Sequence, residues 1–161
     1  MPILLPALLA LQPSPLPGAL EIRPGLFVVR GTPGPETFAG LQAAGITHVL
    51  SLRNASEGDF TKDMAATAAA GADYGRCPVD REPTDAALDA FRARLKALPT
   101  GARALVHCAS GNRVGGALFT HWVLDLGMEE AKALELAHQA GLHSPVTEAA
   151  AQAYIARHRK P

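Results

Sequence analysis

The chain's clearest chemical pattern is the run His107-Cys108-Ala109-Ser110-Gly111-Asn112-Arg113, which follows the apolar residues Ala104-Leu105-Val106. An apolar strand that empties into a short glycine-containing loop and then a helix points successive backbone N–H groups inward. The concavity they form suits a tetrahedral anion. Cys108 stands at the base of that loop. Inward N–H groups, the partial positive charge of a helix N-terminus and a nearby guanidinium all favour a thiolate over a thiol, and the thiolate is the nucleophilic form. Arg113 adds a planar fork that grips two oxygens of one anion, which the point charge of lysine does less specifically. Gly111 and Asn112 are the residue types most tolerant of positive φ, as a tight loop demands. The chemistry on offer is therefore attack by sulfur on an electrophile held as an oxyanion. The bland alternative is a buried cysteine at a strand end with an unrelated surface arginine. It requires strand, His-Cys, Gly and Arg to coincide ahead of a helix by chance.

Such a loop needs a strand behind it and a helix after it, and the hydrophobic pattern supplies both. Residues 102 to 107 contain a compact apolar strand that delivers Cys108 to the end of a sheet, and beyond Arg113 the chain is strongly helical, with breaks near Gly127 and around residues 141 to 145. Upstream, Leu26-Phe27-Val28-Val29 reads as a first strand after Pro24-Gly25, and turn residues 31 to 35 lead into a helix expected over residues 36 to 44. Gly45 stops that helix. Residues 46 to 52 have the β-branched content of a buried strand, a second helix is expected from about 60 to 70, and a short strand from about 74 to 79. Pro78 makes that strand an edge or an ending one. Thr84 is placed to cap a helix whose Leu88, Phe91, Leu95 and Leu98 form one apolar stripe. Alternating strands and helices followed by helices alone predict an α/β fold, with a mainly parallel central sheet flanked by helices on both faces. Ligands of such sheets bind beyond the carboxyl ends of the strands, where Cys108 falls.

At 161 residues and 48% apolar content the chain is the size of one ordinary domain with a real core. Fifteen Lys plus Arg balance fifteen Asp plus Glu, so net charge favours neither nucleic acid nor an anionic membrane surface, and any anion recognition must be local. Nothing in so neutral a chain marks a basic patch for inositol polyphosphates, and no aromatic residue stands out to select phosphotyrosine. Two cysteines, Cys77 and Cys108, make no disulfide framework. The histidines at 48, 121, 138, 143 and 158 show no ligand spacing with carboxylates or cysteines, so neither a metal nor another cofactor is expected. Trp122 and Tyr154 read as core anchors on the late helices. Residues 1 to 20 are apolar and then proline-rich. Their leucine run is too short to span a bilayer and lacks a basic n-region and a cleavage pattern, so they are expected to be a lead-in or a weak signal-like segment. The domain is then residues 21 to 161, cytoplasmic by default, with export through that segment as the alternative.

The string Val106-His107-Cys108-Ala109-Ser110-Gly111-Asn112-Arg113 resembles the signature loop of the protein tyrosine and dual-specificity phosphatase superfamily. Residues 46 to 53 are similar to an early strand of small bacterial phosphatase-like domains, and Cys77-Pro78-Val79-Asp80 to the strand end that leads into their acid loop. The resemblance implies that Cys108 forms a phosphocysteine intermediate. It implies that the amides of Ala109, Ser110, Gly111, Asn112 and Arg113, with the Arg113 side chain, bind phosphate. It also implies that Asp80 protonates the leaving oxygen and that His107 supports the loop by hydrogen bonding. The substrate would be a phosphorylated protein or a small phosphomonoester. Glu82 and Asp85 compete with Asp80 for the acid's role, though Asp85 is also explained by a helix dipole.

Two departures stand out. Cys108 and Arg113 enclose four residues, one fewer than in most of the superfamily; this is the spacing of a bacterial subgroup and also of many rhodanese sulfurtransferases. Val114 occupies the position where the family usually has a hydroxyl that assists thiolate departure. The alternatives are thus sulfur transfer through a Cys108 persulfide, or phospho-ligand binding without turnover. Arg53, Asn54 and Glu57 are candidates for the pocket rim, His138 and Gln139 for placing a water, and Cys77 for an oxidative disulfide with Cys108.

Overall fold

The computed structural model describes residues 14–161; the apolar stretch at the start of the lead-in lies outside them. A five-stranded sheet runs in the order β1-β2-β5-β3-β4. Strands β2 (Leu26–Val28), β5 (Ala104–His107), β3 (His48–Ser51) and β4 (Asp73–Arg76) are parallel, and β1 (Leu20–Arg23) is an antiparallel edge. β4 is the other edge, consistent with Pro78 just beyond it.

β1 was not expected, and it begins within the expected lead-in. Pro24-Gly25 serves as a hairpin turn, with Gly25 at φ +77, a conformation that costs other residues dearly. The half-buried β1 residues Leu20 and Ile22 pack against the core. Leu16 is fully buried still earlier in the chain, beside Gly40, where an added Cβ would meet Pro17 Cδ at 2.7 Å. Pro15 and Pro17 forbid regular structure there but do not prevent packing.

Successive strand residues point to opposite faces, so the sheet carries two cores. On one face Leu16, Phe27, Val29, Val49 and Leu105 pack with residues of α1 (Pro35–Ala39), while Ala66 of α2 (Thr61–Ala69) closes from outside. On the other, Val28, Leu50 and Val106 meet α3 (Asp85–Lys96), α4 (Asn112–Leu124), α5 (Glu130–Ala140) and α6 (Pro145–His158). Burial on both faces explains the unbroken apolar run of β5, all four residues of which are buried. Helix α1 is shorter than the expected span, because the chain turns at Gly40 to drop Leu41 and Ala44 into the core. Thr84 caps α3 by accepting the Ala87 N–H at 3.2 Å. Trp122 and Tyr154 are fully buried.

Helix α4 is central, with nine consecutive buried residues from Val114 to Trp122. Two glycines let its neighbours come close. A Cβ on Gly115 would lie 2.7 Å from Leu142 Cβ and 2.8 Å from the Ala137 carbonyl oxygen, and one on Gly116 2.9 Å from Thr147 Cγ2. Close packing of α5 and α6 on α4 fixes the helix whose first turn carries Asn112 and Arg113. Among the described residues no helix is long and apolar enough to cross a membrane.

Candidate active site

β5 ends at His107, and Cys108 follows it, fully buried, at the floor of a turn closed by Gly111. Gly111 is the N-cap of α4 at φ +86 and donates its N–H to Cys108 Sγ at 3.1 Å. Only glycine serves here. Beside the left-handed backbone, an added Cβ would stand 3.1 Å from both the Ala140 carbonyl oxygen and Gly141 Cα, and 3.2 Å from Arg30 Cα. Ala109 and Ser110 form the exposed lip. The first-turn amides of α4, those of Asn112 and Arg113 among them, have no intrahelical acceptor by construction, so they are available to an anion above the sulfur.

Asn112 turns its side chain outward and ties the loop to the α5–α6 connection. Its Oδ1 accepts the N–H groups of His143 and Ser144, each at 2.7 Å, while Nδ2 donates to Ser110 Oγ at 3.3 Å and to His143 Nε2 at 3.1 Å. The other His143 nitrogen donates to the Gly141 carbonyl at 2.7 Å. The imidazole is thus a brace with both nitrogens engaged.

Arg113 is held by Glu57. Nη1 and Nη2 each donate to one carboxylate oxygen at 2.6 Å, and Nη1 also donates to the Val79 carbonyl at 3.4 Å. A guanidinium has five N–H bonds; Glu57 and Val79 take both on Nη1 and one on Nη2. What remains is the Nε–Nη2 edge, an intact fork for two oxygens. Glu57 is itself fixed from behind: Asn54 N–H donates to Oε2 at 2.5 Å, and Arg53 Nη2 donates to its carbonyl at 2.6 Å. The Arg113 hydrogen bonds hold the Glu57 carboxyl down at about 2. Glu57, and secondarily the nearby Cys108 sulfur, raise the guanidinium's affinity for its proton. The sequence places Glu57 only on the rim. Its Asn-x-x-Glu spacing is a visible helix-capping pattern, but nothing local points to an arginine 56 residues away.

Asp80 is exposed and accepts a hydrogen bond from Asn54 Nδ2 at 2.6 Å. It directly follows Val79, whose N–H donates to the Leu52 carbonyl at 3.0 Å and whose own carbonyl touches Arg113. Asp80 thus leaves the sheet beside the arginine. One residue on, the Arg81 carbonyl accepts from Thr147 Oγ1 at 2.7 Å. Glu82 is exposed farther along the loop, and Asp85 is taken up in an ion pair with Arg157. A cavity of about 560 Å³ lies between α1 and α2, walled by Phe38, Ala66 and Ala70 among others, but no residue of the cysteine loop lines it.

No family model matches this sequence, and neither does any curated protein. Solved structures do match. A DUF442 protein of Shewanella putrefaciens CN-32 superimposes with a TM-score of 0.70 at 22% identity, over 89% of this chain and 94% of that one. P. aeruginosa TpbA, solved with phosphotyrosine, reaches 0.67 at 22% identity over 91% of this chain and 86% of its own. The core catalytic domain of the PP-IP phosphatase SIW14 from S. cerevisiae reaches 0.68 at 14% identity, over 90% and 87%. The fold is that of the tyrosine and dual-specificity phosphatases.

Within this cysteine-phosphatase fold the remaining candidates sort by contact. His107 is buried, and burial pushes its imidazole down to about 4, so at neutral pH it is no cation beside the sulfur; its Nδ1 faces the Cys108 carbonyl at 3.4 Å. Cys77 and Cys108 flank Leu52 from opposite sides, since Ser51 pairs with Arg76 on one strand and His107 on the other. Two strand spacings put them roughly 9.6 Å apart, beyond the roughly 7 Å at which a disulfide closes. Burial also pushes the Cys77 thiol up. His138 is engaged by Glu148 at 2.8 Å, and Gln139 contributes its carbonyl to Arg30. Val114 is fully buried, in the same apolar cluster as Cys108.

Proposed function

We propose that this protein is a cysteine-dependent phosphatase that hydrolyses phosphate monoesters through a phosphocysteine intermediate. The observation that carries the reading is the pairing of Cys108, bonded by the Gly111 N–H, with an Arg113 whose free fork is set by Glu57. The phosphate sits on the first-turn amides of α4, with two oxygens on the Nε–Nη2 edge of Arg113. The Cys108 thiolate attacks phosphorus, the S–P bond forms, and the ester P–O bond breaks as the Asp80 carboxyl gives its proton to the departing oxygen. Water then attacks the phosphocysteine, Asp80 takes the water's proton, the S–P bond breaks and inorganic phosphate leaves. Arg113 and the loop amides meet the charge on the equatorial oxygens in both steps. With Val114 in place of a hydroxyl, the departing thiolate of the second step is received by the Gly111 N–H.

The four-residue spacing favours a second reading, sulfur transfer through a Cys108 persulfide. One experiment separates the two: phosphate release from p-nitrophenyl phosphate between pH 5 and 8 with chelator present, beside thiocyanate formation from thiosulfate and cyanide. The phosphatase reading requires chelator-insensitive hydrolysis that Cys108→Ser abolishes. It also requires a loss in Asp80→Asn that is larger for a poor leaving group, such as an alkyl phosphate, than for p-nitrophenol. Thiocyanate formation without phosphate release overturns it.

A further inference from the structure

Folding sorts the arginines of this neutral chain into two populations. Arg92, Arg103, Arg113, Arg157 and Arg159 each face a carboxylate. Arg30, Arg53, Arg76 and Arg81 make no ion pair among the described residues, although Arg53 lies near Glu57 and Asp63, and all four stand at the carboxyl edge of the parallel strands, the edge from which Cys108 emerges. Arg30 follows β2, Arg53 follows β3, Arg76 ends β4, and Arg81 follows Asp80. The two others without a carboxylate, Arg23 and Arg94, lie elsewhere, on β1 and α3.

Arg53 and Arg76 are used internally. Both stack on Phe60, at 5.1 and 4.3 Å from the ring centroid, and both donate to backbone carbonyls. Arg30 and Arg81 are different. Each is exposed, and each makes one side-chain bond to a neutral group through Nε: Arg30 to the Gln139 carbonyl at 2.7 Å, Arg81 to Ser144 Oγ at 3.4 Å. The four terminal N–H bonds of each guanidinium stay open. Both adjoin the cysteine loop, from different sides. The Arg30 backbone packs on Gly111, and Arg81 reaches Ser144, whose N–H sits on Asn112. Among the acids near this edge, Glu57 is neutralised by Arg113, Asp63 lies near Arg53, and Asp80 and Glu82 are exposed.

We propose that the substrate is a compact, multiply phosphorylated small molecule, whose reactive phosphate enters the Cys108 loop while Arg30 and Arg81 bind its neighbouring anionic groups. This rests on the phosphatase reading above and adds a substrate class to it. Two unneutralised guanidiniums flanking one anion cradle raise the local concentration of polyanions and orient them. A tyrosyl phosphate instead needs apolar walls for its ring. The large apolar side chains exposed among the described residues are Met64, Leu126 and Val146, none of them aromatic.

The test has a binding arm and a turnover arm, each with Arg30→Gln, Arg81→Gln, the double variant, and Arg94→Gln as a control with the same charge change on α3. In the binding arm, inositol hexakisphosphate is titrated calorimetrically into Cys108→Ser protein. The expected result is saturable binding that weakens roughly tenfold per flanking arginine removed, is unaffected by Arg94→Gln, and falls steeply with salt. In the turnover arm, kcat/KM is compared for inositol polyphosphates, p-nitrophenyl phosphate, and phosphotyrosyl peptides with neutral or acidic flanks. The expected result is a preference of roughly tenfold or more for the polyphosphate over p-nitrophenyl phosphate, lost in the double variant. Cys108-dependent hydrolysis of p-nitrophenyl phosphate with no polyphosphate preference overturns this inference and leaves the phosphatase intact. A preference for the acid-flanked peptide overturns it in favour of a protein substrate. Arginine-dependent binding with no hydrolysis of any substrate keeps the anion-binding role of the two arginines but sinks the phosphatase and the substrate claim with it, and absence of both sinks everything.

Discussion

Glu57→Gln removes one charge and keeps the shape, and its consequences follow from the hydrogen bonds of Arg113. In the wild type both carboxylate oxygens accept from the guanidinium at 2.6 Å, with the two side chains 26% and 12% exposed. Glutamine offers one oxygen and one NH2 group, so one of the two Nη groups meets a donor and the fork is no longer pinned. A charge-assisted hydrogen bond contributes about 1.5 to 3 kcal/mol. Losing one, and with it the orientation of the Nε–Nη2 edge, should lower kcat/KM on p-nitrophenyl phosphate by roughly 10- to 100-fold. Stability should change with a definite pH signature. The Glu57 carboxyl is depressed from 4.5 to about 2, so its contribution is fully present above pH 4.5 and is lost as pH falls toward 2. For a carboxylate about a quarter exposed, solvent screening reduces the linkage free energy to about 1 to 2 kcal/mol. Urea denaturation at a series of pH values should therefore show wild type more stable than Glu57→Gln by that amount at pH 7, with the gap narrowing below pH 4.5. Wild-type kcat/KM in the variant, or a pH-independent gap, refutes the assignment of Glu57 as the residue that positions Arg113.

Other positions respond differently. His107 is depressed from 6.5 to about 4 by burial, so the fold should lose up to about 3 kcal/mol as pH falls between those values, and His107→Asn should flatten that stretch of the stability curve. Gly111→Ala meets both a positive φ and backbone atoms near 3.1 Å; circular dichroism melts should show a loss of about 2 kcal/mol, and activity should fall further than stability explains. Gly115→Ala drives a methyl group into the Leu142 backbone and the Ala137 carbonyl and should cost about 1 to 3 kcal/mol by the same melts without altering the loop's residues. Peroxide treatment should oxidise Cys108 without linking it to Cys77, which mass spectrometry of peptides digested without reductant reads directly.

What was legible in the sequence is what local patterns encode. The apolar run of β5, the capped stripe of α3 and the Cys108-to-Arg113 loop each declare themselves within a window of a dozen residues, and the parallel sheet follows from their alternation. β1 was hidden because its residues are half-buried and stand between proline-rich and turn-rich segments, so neither a strict alternation nor a continuous apolar run marks it. That the lead-in packs on the domain was a readable possibility, but not that Leu16 is the residue it buries, since a lone leucine among prolines has no periodicity to read. Glu57 and Asn112 form a third class. Their types are ordinary, and their roles come from partners 56 and 31 residues away, which only the folded chain brings together.

Charge shows the same division most sharply. A count of fifteen against fifteen says that the chain has no electrostatic preference, yet that count averages over positions that folding treats unequally. Asp85 and Asp125 are paired on the helical layer, by Arg157 and Arg92, and these pairs cancel where no substrate comes. The guanidiniums left without carboxylates sit mostly where parallel strands end, because each of those strands is followed by a loop that must be polar and leaves the sheet on the same edge. Net neutrality and a cationic mouth are therefore compatible in one small domain. The arrangement needs only that ion-paired acids brace helices and Arg113, and that two arginines beside the cysteine loop, with Asp80 and Glu82 exposed near one of them, be left with neutral side-chain partners.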